Sequence, residues 1–125
     1  MRLLLDTHIL LWLMASDPRL NRKARALIDN ASEVYVSAAS MWELAIKSSI
    51  GKIAGDPETI LETMGRTGLL DLPVSMRHAV ASGKLPLLHR DPFDRLLVAQ
   101  AISEPMRLLT ADSQLLGYSE LVVCV

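Results

Sequence analysis

The sequence predicts an α/β fold: one parallel sheet covered by helices on both faces. Two observations carry that reading. Short apolar runs alternate from end to end with segments of helical periodicity, the pattern of strands buried on both sides and linked by crossover helices. Half of the residues are apolar but only 4% are aromatic, so the core has to be built from Leu, Ile, Val, Ala and Met.

The elements follow in order. Residues 2–5 read as a short buried strand, and residues 8–14 as a dense apolar helix that Asp17-Pro18 terminates. Residues 21–28 carry Ala24, Leu27 and Ile28 at helical spacing. Val34-Tyr35-Val36 is a strand. Residues 37–50 form the clearest helix, because Ala38, Met41, Trp42, Ala45 and Ile46 recur at the spacing of one helical face, and Gly51 closes it. Asp56-Pro57-Glu58 opens a helix that runs to about Arg66 and ends near Gly68. Residues 69–72 are a strand, residues 75–81 a short helix closed by Gly83, and residues 86–90 a loop. Asp91-Pro92 begins a helix that reaches Ser103. A strand at 106–109, a helical turn at 112–116 and a last strand at 121–125 complete the chain. Without repeats or a composition break, residues 1–125 read as a single domain.

The bulk composition narrows the function classes. The longest apolar run is well short of the ~20 residues that span a bilayer. Asp6 and His8 interrupt the N-terminal apolar run, which therefore reads as a strand rather than a signal peptide. The single Cys124 excludes an intrachain disulfide and fits a reducing compartment, with the cytoplasm expected. A net charge of −1 argues against a general nucleic-acid binder. Arg77, Lys84, Arg90 and Arg95 nevertheless cluster in sequence, and Lys47 and Lys52 flank Glu43, so phosphate contacts compete with plain solvated helix faces.

Four acids stand out. Asp6 follows the strand at 2–5, and Asp112 follows the strand at 106–109. Glu43 lies in the helix after the second strand, and Asp94 in the first turn of its helix. In a parallel sheet the site lies beyond the carboxyl ends of the strands, so all four are predicted on one rim. Each has a structural alternative. Asp6 and Asp112 could cap the helical segments after them. Ser40-x-x-Glu43 matches a capping box, although Ser37 is an equally good N-cap. Asp91 is explained by capping ahead of Pro92, and Asp94 then favours the helix dipole. Together, uncompensated carboxylates on one rim raise each other's pKa, and a hard divalent cation such as Mg²⁺ or Mn²⁺ removes that conflict. His8 and His89 are candidate general acids, but His8, set in apolar sequence, reads rather as a packing histidine and His89 as loop; Met14, Met41 and Met64 read as packing.

Leu5-Asp6-Thr7-His8, Trp42-Glu43-Leu44, Asp91-Pro92-Phe93-Asp94-Arg95-Leu96-Leu97-Val98-Ala99-Gln100 and Leu109-Thr110-Ala111-Asp112, in that order, resemble the PIN-domain ribonucleases, and in particular the VapC-type toxins of prokaryotic toxin–antitoxin pairs. The resemblance implies a five-stranded parallel sheet in the order 3-2-1-4-5 and RNA cleavage dependent on one or two Mg²⁺ or Mn²⁺ ions. It also implies a homodimer and a cognate antitoxin. By motif match the family's catalytic and metal-binding acids fall on Asp6, Glu43, Asp94 and Asp112, and its hydroxyls on Thr7 and Thr110. Many relatives carry a further acid where this chain has Gln114, so one outer ligand is missing; Asp91 is an extra acid that could replace it. Lys47, Arg90 and Arg95 are candidates to hold phosphate, and the Trp12-Leu13-Met14 cluster is a candidate antitoxin contact. Two other classes stay open: a metal-dependent phosphohydrolase of small substrates, and a non-catalytic binding module whose acids are caps. The aspartyl-phosphate enzymes are disfavoured, since position 8 is His where a second Asp is needed.

Overall fold

In the computed structural model, which describes residues 1–53 and 55–125, five strands form one sheet in the order β3-β2-β1-β4-β5. The strands are β1 (Arg2–Leu5), β2 (Glu33–Ser37), β3 (Leu70–Leu72), β4 (Arg107–Thr110) and β5 (Val122–Cys124), and every pairing is parallel. The helices are α1 (Thr7–Met14), α2 (Arg22–Asn30), α3 (Ala38–Ser49), α4 (Pro57–Thr67), α5 (Met76–Gly83) and α6 (Pro92–Ser103), and a 3₁₀ turn spans Ser113–Tyr118. Fold class and strand order are those expected.

Strand β1 is central and organises both faces. Its residues alternate across the sheet. Leu3 and Leu5 enter a core with Ile9, Leu10, Ala24, Leu44 and Met64, whereas Leu4 enters a second core with Leu97, Val98, Leu108 and Leu115. All three β1 leucines are fully buried, each stabilising the fold by about 1.5–3 kcal/mol relative to exposure. One face of the sheet thus carries α1 to α4, and the other carries α6 and the 3₁₀ turn.

Most helices begin where a short polar side chain captures an orphan N–H. Asp6, Asn21, Ser37, Asp56, Ser75, Asp91 and Asp112 are all N-caps whose side chains accept from the following turn. Helix α4 ends on Gly68 in the left-handed region, at φ 77°, where a β-carbon is disfavoured. Two boundary expectations change. Gly83 is the last residue of α5, and Lys84 is the C-cap. Ser40 is not the cap of α3; Ser37 is, through Ala39 N–H at 3.0 Å.

The face of α3 is the main departure. Ala38, Trp42, Ala45 and Ile46, the apolar stripe that helical spacing marks out, are exposed rather than in the core, with Trp42 at 63%. The buried face is Ala39, Ser40, Glu43 and Leu44. Helical spacing finds the apolar stripe but not what lies opposite it. Here the polar Ser40 and Glu43 turn inward toward Thr7, and the apolar stripe lines a groove of about 360 Å³ against Leu61 and Met64 of α4.

Candidate active site

Two adjacent central strands deliver the first two acids. Strands β1 and β4 pair in parallel, so their carboxyl ends meet at one rim. The chain leaves β1 at Asp6, whose N–H donates to Leu109 O at 3.0 Å. Asp6 Oδ1 accepts from Ile9 N–H at 2.9 Å, capping α1, and Oδ2 accepts from the Thr110 hydroxyl at the end of β4. Thr110 Oγ1 also accepts from Asp112 N–H at 3.0 Å, which ties the third residue of the cluster to the first. Asp112 Oδ1 caps the 3₁₀ turn through Gln114 N–H at 2.9 Å, and its Oδ2 is left toward the rim.

Asp94 comes from the opposite core. Asp91 caps α6 through Phe93 N–H and Asp94 N–H at 2.9 and 3.1 Å, which sets Asp94 in the first turn of that helix. His89, in the loop before α6, places Nε2 at 2.9 Å from Asp94 Oδ2 and 3.6 Å from Asp112 Oδ2. Glu43 approaches from α3. Its Oε1 accepts from the Thr7 hydroxyl at 2.7 Å, and its Oε2 pairs with Lys47 at 2.7 Å.

The structure therefore brings Asp6, Asp94 and Asp112 around one depression of about 340 Å³, which His8, Trp12 and Ala111 also line. Glu43 is not on its wall; it joins through Thr7, the neighbour of Asp6. A second groove, of about 560 Å³, carries Thr7, Arg19 and Lys47 and shares His8 and Trp12 with the first, so the two run into one another.

The electrostatics correct the expectation of four unrelieved carboxylates. Glu43 is relieved by Lys47; Asp94 is hydrogen-bonded to His89 Nε2, and the same ring lies 3.6 Å from Asp112. Asp6 is 4% exposed, and burial pushes its carboxyl up; the bonds from Thr110 and Ile9 pull the other way. Asp94 is the most conflicted. Burial and then the charge of Asp91 push it up to about 6, against a smaller opposing effect of the His89 hydrogen bond.

Other expectations shift. His8 is exposed and is not a packing residue; it faces the site and interacts with the charge of Asp6. Arg95 is not free for phosphate. Its guanidinium donates to the carbonyls of Ser82, Leu85, Pro86 and His89 and to the Tyr118 hydroxyl. Asp91 spends an oxygen on two backbone donors, so it serves α6 rather than the place of the missing acid at Gln114. His89 lies in the loop before α6, as read, but its place against Asp94 was not legible: nothing in Pro86-Leu87-Leu88-His89-Arg90 shows that the backbone folds back over the first turn of α6.

The donor chemistry fits a divalent cation. One donor atom each from His89, Asp94 and Asp112 lies within 4.8 Å of the others, and two of the three are hard carboxylate oxygens. Asp6 stands on the same depression.

The chain is similar to known proteins over nearly its whole length. The PIN domain family matches residues 3–121. Ribonuclease VapC22 of Mycobacterium tuberculosis is 33% identical over 116 residues, which cover 90% of this chain and 88% of that one. Among solved structures, VapBC2 from Rickettsia felis bound to a DNA fragment from its promoter superposes with a TM-score of 0.72 at 18% identity, covering 100% of this chain and 98% of that one. A toxin–antitoxin complex from Klebsiella pneumoniae gives a TM-score of 0.68 at 20% identity, covering 96% and 94%. With the strand order, the rim of acids and a matched segment that spans nearly the whole sequence, the chain belongs to the PIN-domain family and is of the VapC type.

Proposed function

We propose that this chain is a divalent-metal-dependent endoribonuclease that acts in the cytoplasm as the toxin of a toxin–antitoxin pair. The observation that carries the reading is the meeting of Asp6, Asp94 and Asp112 on one depression, from two strand ends and a helix start that are far apart in sequence. Likeness to a protein named a ribonuclease supplies the substrate class.

In this reading Asp6, Asp94 and Asp112 hold Mg²⁺ or Mn²⁺. A bound cation supplies Lewis-acid charge that activates a water and offsets the growing charge on phosphate. The water oxygen would attack phosphorus as its proton passes to solvent, and the bond to the leaving ribose oxygen would break as that oxygen takes a proton from solvent. Glu43, its oxygens held by the Thr7 hydroxyl and Lys47, stands off the wall of the depression and would act through Thr7, the neighbour of Asp6, to orient the attacking water. The groove beside Lys47 and Arg19 shares His8 and Trp12 with the acidic depression and is the path assigned to the RNA backbone; Lys47 is paired with Glu43 and Arg19 with Asp17, so phosphate contact requires exchange of those partners.

The partner proteins belong to the same proposal. The Klebsiella relative was solved as a toxin–antitoxin complex. On this chain Leu13 and Met14 of α1, with Ile28 and Leu69, line an apolar hollow of about 350 Å³ suited to an antitoxin side chain. The exposed α3 stripe around Trp42 suits a second copy of the chain.

The test is cleavage of RNA by wild type, Asp6→Asn and Asp94→Asn, with and without Mn²⁺. Both variants are expected to lose turnover by about a hundredfold or more while keeping the wild-type circular dichroism spectrum, and chelation is expected to silence the wild type. Wild-type turnover by either variant, or cleavage that survives chelation, overturns the assignment.

A further inference from the structure

The loop before α6 is held with unusual thoroughness. His89 N–H donates to the Tyr118 hydroxyl at 2.9 Å, and that hydroxyl lies 3.3 Å from His89 O. Arg95 reaches both the Tyr118 hydroxyl, at 3.2 Å, and His89 O, at 3.4 Å. The same guanidinium ties down Leu85 O and Pro86 O on the approach to His89. Two long side chains from α6 and the 3₁₀ turn thus fix one backbone position in an otherwise irregular segment. The outcome is a half-buried imidazole whose Nε2 stands between the carboxylates of Asp94 and Asp112.

We propose that His89 is a nitrogen ligand of the divalent cation, alongside Asp94 and Asp112, and that it biases the site toward Mn²⁺ over Mg²⁺. The inference rests on the metal-dependent reading above and adds a donor that the matched acidic motif does not contain. Adjacent donors of a six-coordinate ion with bonds of about 2.1 Å lie about 3 Å apart. The distances from Nε2 to the two carboxylates, 2.9 and 3.6 Å, lie close to that value. Imidazole suits the later first-row ions better than Mg²⁺, which prefers oxygen throughout and keeps its waters. A neutral nitrogen also adds a donor without adding to the negative charge already crowded around Asp94.

The decisive experiment is pulsed electron paramagnetic resonance of the wild-type protein loaded with Mn²⁺, reading the modulation from ligand ¹⁴N. The same measurement on His8→Gln excludes the histidine that lines the depression. His78 cannot supply the signal, because it is 3% exposed and engaged with Ser75 and Glu104 away from the acids. The expected result is ¹⁴N modulation in the wild type and in His8→Gln, and its loss in His89→Gln. Competition titrations on His89→Gln are expected to show Mn²⁺ affinity reduced about tenfold or more, with Mg²⁺ affinity reduced less. Bound Mn²⁺ without ¹⁴N modulation in the wild type overturns the histidine ligand and leaves the carboxylate site standing. Absence of Mn²⁺ binding at millimolar concentration overturns both. The wild-type and His8→Gln spectra decide the question even if His89→Gln does not fold.

Discussion

Asp94 enters a half-buried position with Asp91 close by and Asp6 on the same depression, and its carboxyl is pushed up to about 6. Its proton is therefore held more tightly in the folded chain than in the unfolded one. The contribution to stability is fullest below the ordinary carboxylate value of 3.8 and is lost as pH rises through about 6. Near neutrality the ionised Asp94 opposes folding of the cation-free protein, and a bound cation reverses that. Two outcomes follow for thermal melts at pH 5 and pH 7.5. Asp94→Asn raises the melting temperature of the cation-free protein more at pH 7.5 than at pH 5. The rise in wild-type melting temperature on adding Mn²⁺ is large at pH 7.5 and shrinks at pH 5, where protons compete. Equal Mn²⁺ shifts at the two pH values would contradict this account of Asp94.

Helix α6 separates two acids that the sequence alone could not sort by geometry. Asp91 has both of its bonds directed at the helix start, and Asp94 has its carboxylate on the rim. Asp91→Ala is expected to cost about 1 kcal/mol of stability through the lost cap, read as a lower urea midpoint. Mn²⁺ affinity is expected to hold or rise, since a repelling charge beside Asp94 is removed. A loss of affinity as large as that of Asp94→Asn would make Asp91 a ligand and sink the division of labour. The caps at Asp56, Asp91 and Asp112 were legible because Asp before Pro or after an apolar run marks a helix start by local chemistry. The inward face of α3 was not. Periodicity reports a stripe, and it takes Thr7, 36 positions away in sequence, to show that Glu43 is the buried side. His89 was illegible for the same reason: its position depends on Tyr118, 29 residues later.

For the molecule as a whole, the sheet order is what makes a site out of scattered acids. With β1 and β4 adjacent at its centre, the order puts Asp6 and Asp112 on one rim, while α6 from the other face contributes Asp94. The alternation of apolar runs and helical segments made this architecture readable, and the carboxyl-end rule made the rim readable. What the same frame leaves uncovered is the α3 stripe and the side of α4 that faces it, with Trp42 and Leu61 both more than half exposed. Isolated apolar residues need no explanation, but a contiguous groove suggests a partner surface. Trp42→Glu is expected to shift the sedimentation coefficient of the purified chain toward the monomer without changing its circular dichroism. A wild-type chain already monomeric at tens of micromolar would remove the second copy from this face. The central claim is that three distant carboxylates form one cation site. Anomalous diffraction from crystals soaked in Mn²⁺ tests it most directly. The account predicts a peak within bonding distance of Asp94 and Asp112, on the depression that Asp6 lines. A saturating soak with no peak there, or with density only at other surface acids, would contradict it.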